Sequence, residues 1–351
     1  MSAPPVRVGL LGCGQIARGV HLRVLGRLPG VRVAALAEPE PRARVEALAL
    51  APGAAPFADW RALVDARVVD AVVVCLPPAL HAPATVAAFA AGLHVYLEKP
   101  LAPTLAEGAD VLRAWRAAGT VGTVGFNFRL NPFAEAARVH VAAGDIGTPV
   151  AAQTVFTGAG DGLPDWKRRR ETGGGVLLDL ASHHADLARF TFQTEIATVA
   201  AVTRSVRAEA DTADVTFRLA SGVVVQSFVS LAATADHRFE VLGDRGRLEW
   251  DVVRAPGLRV SRGAGYPSRV QRATELLRPL APGRLLAPAG HEPSFARALG
   301  AFARAAAGAP AERFADLGDG YASLAAVMAA EASAGRGGVP VEVEAFVPNS
   351  R

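Results

Sequence analysis

Short hydrophobic runs separated by helical segments organise the first third of the chain. The strand-like runs cover residues 6–11, 32–37, 70–76, 94–97 and 121–126. Between them lie helical patterns, of which the clearest cover residues 83–91 and 104–118. Continuous apolar strands that alternate with helices are typical of a parallel sheet covered on both faces. The sequence therefore predicts an α/β domain with a doubly wound parallel sheet over residues 1–127.

The hydrophobic period changes in the second part of the chain. Strand-like stretches cover residues 150–157, 197–204, 213–219 and 223–231, with turns at 220–222 and 243–246. Turns of this kind join consecutive antiparallel strands. Helical patterns cover residues 176–190, 294–307 and 319–334. We predict an α+β domain with a mainly antiparallel, open sheet over residues 128–351, and a loop with one short helix over residues 256–290.

The composition is that of a globular protein large enough for two domains. Apolar residues make up 51% of the 351 residues and charged residues 20%, which excludes a disordered chain. The formal charge of +4 comes mostly from scattered arginines, so we expect no nucleic-acid partner. Lysine occurs only at Lys99 and Lys167. In a chain so rich in arginine, we expect a lysine where an ammonium group, which can titrate, is needed.

Cysteine content and hydropathy indicate the cellular compartment. Cys13 and Cys75 are the two cysteines, and both lie in apolar, strand-like segments, which argues against a disulfide framework. The first strand begins too early to leave room for a signal peptide, and no apolar stretch reaches membrane length. We expect a cytoplasmic protein without a membrane partner.

A glycine-rich turn links the first strand to the following helix. Gly12 suits a tight turn, Gly14 permits close approach of a pyrophosphate, and Ala17 is small enough for the helix to pack on the strand. The unpaired N–H groups of the helix N-terminus favour a negatively charged ligand. We assign the following residues to dinucleotide binding: Gly12, Gly14, Gln15, Ile16 and Ala17. The alternative is a glycine turn that packs and binds nothing.

Glu38 follows the second strand, where a carboxylate can accept hydrogen bonds from a ribose 2′-hydroxyl. A 2′-phosphate would meet like charge there, so the residue favours NAD over NADP. Arg42 or Arg44 could instead pair with a 2′-phosphate, which leaves NADP as the alternative cofactor. Glu38 could also be a solvated loop acid.

Two further segments carry candidate chemistry. Glu98-Lys99-Pro100 closes the strand 94–97, at the carboxyl edge where open α/β sheets bind ligands. Asp179, His183 and Asp186 are spaced i, i+4, i+7 and form a polar stripe on a largely apolar helix. The alternative for this stripe is a structural Asp–His bridge. His184 lies on another face, where a core position is expected.

The motifs together resemble the Gfo/Idh/MocA family of sugar and cyclitol dehydrogenases. The segments that carry the resemblance are Gly12-x-Gly14-x-x-Ala17, Pro77-Pro78-x-x-His81, Glu98-Lys99-Pro100 and the stretch 173–186 with Asp179 and His183. The resemblance implies an NAD(P)-dependent oxidoreductase that acts on a sugar, cyclitol or keto-sugar, with Lys99, Asp179 and His183 as its catalytic residues. It also implies that subunits pair through the open face of the second sheet, as a homodimer or homotetramer.

Hydride transfer at a carbinol carbon requires a group that moves the hydroxyl proton. We expect His183 to accept this proton, with its ring oriented by Asp179 and with Lys99 as electrostatic partner. The roles of Lys99 and His183 could be exchanged. No metal is expected.

Other residues are expected near the same cleft. Pro77, His81, Glu98 and Lys99 are assigned to the cofactor, although His81 could equally cap a helix. Asn127 and Arg129 follow the last strand of the first domain, where the two domains must meet. Trp166 could supply an apolar face to a sugar ring and Lys167 could bind hydroxyls, whereas residues 168–170 are interpreted as a solvated charge run.

Two alternative functions remain compatible with these residues. One is a glycosidase or epimerase that uses transient oxidation by tightly held NAD. The other is a non-catalytic cofactor sensor on the same fold, against which the presence of Lys99 argues. Pro78 stands where Asn is frequent in the family, which puts the detailed contacts to nicotinamide in doubt.

Overall fold

A parallel sheet forms the first domain. The computed structural model describes residues 4–160, 162–254, 256–263, 292–310 and 314–343. Within these residues the sheet has six strands in the order β3-β2-β1-β4-β5-β6. Their bounds are β1 Val6–Leu11, β2 Val31–Ala37, β3 Ala55–Phe57, β4 Ala71–Val74, β5 His94–Leu97 and β6 Gly122–Val124. The order reverses between β1 and β4, which confirms the predicted doubly wound sheet and creates a ligand crevice at the carboxyl ends of these strands.

Helices cover both faces of this sheet. They are α1 Leu22–Leu25, α2 Pro41–Leu50, α3 Trp60–Asp65, α4 His81–Ala90 and α5 Leu105–Ala118. A π-helical segment, Ala17–His21, precedes α1. All four residues of β4 are buried, because helices pack on both sides of this central strand. This double burial explains why the strand reads as a continuous apolar run.

A second sheet forms the other half of the molecule. Its eight strands among the described residues have the order β13-β12-β11-β7-β10-β9-β8-β14. Their bounds are β7 Pro149–Thr157, β8 Ile196–Arg204, β9 Thr212–Leu219, β10 Val224–Ser230, β11 Asp236–Gly243, β12 Gly246–Asp251, β13 Gly257–Arg262 and β14 Val341–Glu342. Only β7 and β10 pair in parallel among these ladders, so the sheet is mainly antiparallel, as predicted.

Four more helices complete the described part of the chain. They are α6 Pro132–Ala142, α7 Ser182–Phe192, α8 Ser294–Ala306 and α9 Leu317–Ala334. Helix α9 packs on β8 of the second sheet and also on α5 of the first domain. Helix α8 returns to the first domain, where Leu299 and Phe302 share a hydrophobic core with residues of β1.

Two local predictions need correction. Gly257–Arg262, expected to lie in an irregular loop, forms β13 and pairs with β12 along six residues. Residues 264–290 of the predicted loop lie outside the described residues. The helix expected at 176–190 begins as a π-helical segment, Leu177–Ala181, and continues as α7. In the described part of the chain, no helix is long and apolar enough to span a membrane.

Candidate active site

A cavity of about 1070 Å³ lies at the carboxyl ends of β1, β2, β4 and β5 and opens toward the second domain. Most of the residues assigned to the cofactor line it: Gly12, Gly14, Gln15, Ile16, Glu38, Pro77, His81, Glu98 and Lys99. The candidate substrate residues Asn127, Lys167, Asp179 and His183 line it as well. The cavity therefore brings together both motif sets that the sequence places far apart.

The glycine turn has the shape that a bound pyrophosphate needs. Gly12 has φ +87°, and a Cβ there would lie 2.7 Å from the carbonyl oxygen of Cys75. Gly14 has open space within 4 Å of the position of a Cβ. Ala17 does not line the cavity and is fully buried, which agrees with its expected packing role. The turn is tight at Gly12 and open at Gly14, so a dinucleotide fits it.

Glu38 lies at the end of β2 with its carboxylate next to the glycine turn. Its Oε2 accepts a hydrogen bond from the Cys13 N–H at 2.7 Å. The nearby arginines considered for a 2′-phosphate do not line the cavity: Arg42 pairs with Glu46, and Arg44 donates to the carbonyl oxygen of Glu38. The carboxylate of Glu38 therefore lines this end of the cavity, together with Arg18 and Arg61.

The two lysines of the chain bind the same carboxylate. Lys99 Nζ donates to Asp179 Oδ1 and, at 2.9 Å, to the Asp179 carbonyl oxygen. Lys167 Nζ donates to Asp179 Oδ2 at 2.9 Å. Burial would raise the pKa of Asp179, but the charges and hydrogen bonds of both lysines hold that pKa well below its usual value. Asp179 is thus an ionised anchor for two ammonium groups.

His183 lies in an aromatic environment on the same helix. Its ring centroid lies 4.8 Å from that of Phe128 and 5.7 Å from that of Phe126. Its Nδ1 is buried and has no hydrogen-bond partner among the described residues, and burial holds the pKa of His183 well below its usual value. The expected orienting hydrogen bond from His183 to Asp179 is absent among the described contacts, and both oxygens of that carboxylate accept from lysines instead. Aromatic packing orients the ring instead.

His184 points to the second sheet, as its position on the helix predicted. Its Nδ1 lies 2.9 Å from Thr154 Oγ1 and 2.6 Å from Ser227 Oγ. The neighbouring His237 stacks on Phe156 with ring centroids 4.2 Å apart, and burial lowers the pKa of His237 to about 3. Both histidines belong to the packing behind the cavity.

The remaining polar residue of the helix stripe has a structural role. Asp186 is buried and pairs with Arg129 at 2.7 Å, and burial raises the pKa of Asp186 to about 6. Arg129 also pairs with Asp319 at 2.7 Å. Arg129 was expected near the substrate, but it is buried and is not among the residues that line the cavity. Its guanidinium instead joins the linker after β6 to helices α7 and α9.

The other predicted residues differ in their surroundings. Asn127 lines the cavity and donates from Nδ2 to Ser294 Oγ at 2.6 Å. His81 Nδ1 lies 2.6 Å from the Pro100 carbonyl oxygen and Nε2 lies 2.8 Å from that of Leu76. His81 therefore joins the loop after β4 to the loop that carries Lys99. The side chain of Trp166 lies outside the described part of the structure.

Sequence reasoning missed three cavity features. His21 Nε2 lies 2.7 Å from Glu98 Oε1, although 77 residues separate them in the sequence. Phe295 comes from α8 and packs edge-on against His21. Phe128 lines the cavity beside His183. His21 lies four residues after Ala17, about one helical turn beyond the end of the glycine motif, which is the local signal that could have drawn attention to it.

Comparison with known families covers both halves of the chain. A family described as "Oxidoreductase family, NAD-binding Rossmann fold" matches residues 6–126. The "GFO/IDH/MocA C-terminal domain" matches residues 134–249. The two matched regions contain Lys99, Asp179 and His183 and end on either side of the linker that holds Asn127.

Individual proteins are similar over most of the chain. Inositol 2-dehydrogenase of Rhizobium meliloti (strain 1021) is 30% identical over 273 residues, 74% of this chain and 80% of the relative. The uncharacterized oxidoreductase YrbE of Bacillus subtilis (strain 168) is 29% identical over 263 residues, 72% of this chain and 76% of the relative. The fold is similar to that of the WlbA dehydrogenase from Bordetella pertussis, solved with NADH and UDP-GlcNAcA. That structure has a TM-score of 0.82 at 21% identity and covers 99% of this chain and 100% of its own.

Proposed function

From the premise that this chain belongs to the Gfo/Idh/MocA family of NAD-dependent oxidoreductases, we propose that its cavity transfers hydride at a secondary carbon of a sugar or cyclitol. The observation that carries the proposal is the Lys99–Asp179 pair, because it joins the predicted cofactor domain to the second domain inside one cavity. An ammonium group at this point can bind the oxygen of the reacting carbon.

The cofactor end of the cavity comprises the glycine turn and Glu38. The open space beside Gly14 leaves room for the pyrophosphate, and Glu38 can accept hydrogen bonds from the ribose hydroxyls. When bound, NAD supplies the nicotinamide ring that accepts or returns the hydride. Residues of the protein position the substrate and transfer its proton.

Lys99 is the proton-transfer group in this proposal, and Asp179 fixes its position. As an ammonium group it donates a proton to the oxygen when a ketone is reduced. In the oxidative direction it first releases that proton to solvent and then accepts the proton of the substrate hydroxyl.

The position of the proton on the His183 ring supports this assignment. A buried N–H without an acceptor is costlier than a buried lone pair without a donor. The proton of a neutral His183 therefore belongs on Nε2, which leaves this nitrogen as a hydrogen-bond donor toward the substrate oxygen. This exchanges the roles expected from sequence, where His183 accepts the proton.

The substrate end of the cavity is polar on one side and apolar on the other. Lys167 and Asn127 can bind hydroxyl groups, and the rings of Phe128 and Phe156 offer the apolar surface that a sugar ring contacts. A polyol or sugar suits this arrangement, because it presents oxygens on its edge and C–H groups on its faces.

Other parts of the structure support proposals on assembly and location. Ser227 lies on the face of the second sheet that packs on helix α7, where its Oγ is hydrogen-bonded to His184. Gln226 and Phe228 therefore project from the opposite face of this sheet. Phe228 is adjacent to Val155 in register, and both are partly exposed. We propose that this face pairs subunits in a homodimer or homotetramer. The two cysteines are free thiols, which suits a cytoplasmic location.

The test is NADH formation from NAD with a panel of inositols, aldoses and polyols, comparing wild type with Lys99→Met. We expect turnover in wild type and its loss in the variant, with NAD affinity kept. Absence of turnover on every alcohol, together with NAD that co-purifies through gel filtration, would contradict simple dehydrogenation. That result would favour a glycosidase or epimerase with tightly held cofactor.

A further inference from the structure

Glu98 and His21 form a buried pair at the edge of the cavity. Glu98 follows β5 and is 8% exposed, and His21, from the segment after the glycine turn, is 0% exposed. His21 Nε2 lies 2.7 Å from Glu98 Oε1. The carboxylate also lies against the backbone of Gly125, where a Cβ would be 3.0 Å from Glu98 Oε2. The position of the carboxylate is therefore fixed on two sides.

His21 holds this carboxylate through a single ring nitrogen. Its Nδ1 is buried and has no hydrogen-bond partner among the described residues. Nε2 therefore carries the proton of the hydrogen bond and donates it to Glu98.

Glu98 keeps its negative charge in spite of its burial. Burial would raise the pKa of Glu98, but the hydrogen bond from His21 and the neighbouring positive charge of Lys99 hold the pKa below its usual value. The ammonium group of Lys99 is itself bound to Asp179 rather than to Glu98. An ionised carboxylate therefore borders the cavity directly beside the proposed proton-transfer group.

We propose that Glu98, held in place by His21, makes the site bind the oxidised cofactor more tightly relative to the reduced one. The proposal rests on the cofactor site proposed above. The two cofactor forms differ by a positive charge on the nicotinamide ring, and a charge in a water-poor cavity interacts strongly with a fixed carboxylate. His21 is a positioning residue in this account, since it acts through Glu98.

The test measures the dissociation constants of NAD⁺ and NADH by titration calorimetry of the full chain without substrate. We expect Glu98→Gln to raise the ratio of the NAD⁺ constant to the NADH constant about tenfold. Glu38→Gln is the matched control, because it makes the same chemical change at the adenosine end of the cavity. It should weaken both forms by the same factor.

Variants of His21 test the second half of the proposal. His21→Leu removes the donor, so the buried carboxylate becomes protonated and the ratio should rise as it does in Glu98→Gln. His21→Gln keeps an N–H donor and should retain a ratio closer to that of wild type. A merely structural role of His21 would weaken both cofactor forms equally, and the ratio would then stay constant in both variants.

The inference is overturned if Glu98→Gln leaves the ratio of the two dissociation constants unchanged. If Glu98→Gln does not fold, an unchanged ratio in His21→Leu overturns it. This result leaves the proposed hydride transfer standing. Conversely, Glu98→Gln could raise the ratio although wild type oxidises no sugar or cyclitol. That result would contradict the proposed function and support the role of Glu98.

Discussion

Lys99 and Lys167 donate to opposite oxygens of one carboxylate, although they belong to different domains. Lys99 follows β5 of the first domain, and Lys167 lies in the 3-10 helix Asp165–Arg168 of the second. Both border the same cavity. The carboxylate of Asp179 therefore positions one ammonium group for proton transfer and a second for substrate binding, and the two can be separated by mutation.

Replacement of Lys99 tests proton transfer. We expect Lys99→Met to lower kcat by at least about 100-fold, since it removes the group that moves the proton and binds the reacting oxygen. Lys99→Arg should not restore turnover, because a guanidinium stays protonated and cannot exchange its proton with the substrate. Steady-state NADH formation measures both effects. Near wild-type turnover in Lys99→Met would contradict the assignment.

Replacement of Lys167 tests substrate binding. We expect Lys167→Met to raise the KM for the polyol about tenfold while the KM for NAD stays unchanged, because a lost hydrogen bond to a charged donor costs about 1.5–3 kcal/mol. Lys167→Arg keeps a cation at this point and should recover part of the loss. A fall in kcat without a change in KM would instead place Lys167 in the chemical step.

Glu38 should decide between the two nicotinamide cofactors. We expect kcat/KM to be higher with NAD than with NADP, and Glu38→Ala to reduce this preference about tenfold, since the like-charge repulsion of a 2′-phosphate is then removed. The measurement is kcat/KM with each cofactor in both proteins. Wild type that prefers NADP would remove Glu38 from this role.

The two glycines of the turn should respond differently to the same substitution. Gly12→Ala should destabilise the fold by about 1–3 kcal/mol, since its Cβ meets the Cys75 carbonyl at a positive φ. Gly14→Ala should keep wild-type stability but weaken NAD binding, because its Cβ would enter the space of the pyrophosphate. Thermal melts and NAD titration separate the two effects. Equal melting temperatures for both variants would contradict this account.

His237 should make the fold sensitive to acid. Its pKa of about 3 in the folded protein lies below the unfolded value of 6.5, so the unfolded state takes up the proton first as the pH falls. The stability linked to this residue is present above about pH 6.5 and is lost progressively below it, by about 2 kcal/mol at pH 5. His237→Phe preserves the stack on Phe156 and should lose that much less stability between pH 7 and pH 5. Urea titrations at both pH values measure the difference, and identical losses would contradict it.

Local patterns were sufficient to predict the sheets and the main motifs. The glycine turn, the Glu98-Lys99-Pro100 edge and the spacing of Asp179 and His183 each depend on neighbours a few residues away. The ion pairs depend on distant partners and could not be predicted. Arg129 reads as a cleft residue because of its place in the linker, yet Asp186 and Asp319, 57 and 190 residues further on, bind its guanidinium.

The same dependence on partners distant in sequence explains why the surroundings of His183 and the strand β13 differ from the predictions. The i, i+4 spacing of Asp179 and His183 permits a hydrogen bond, but Lys99 and Lys167 occupy the carboxylate. Likewise, Gly257–Arg262 is an edge strand in which the apolar alternation is limited to Leu258 and Val260, and its pairing with β12 supplies the order.

Helix α8 has a consequence for how this protein is made. Leu299 and Phe302 are fully buried in the core that contains β1, and Ser294 bonds to Asn127. The chain therefore leaves its first domain after β6, builds the second, and only then contributes the helix that closes the first. During synthesis on the ribosome, the face of the first domain that α8 covers stays open until more than 300 residues have been added. The first domain can therefore complete its core only after most of the second domain has been made.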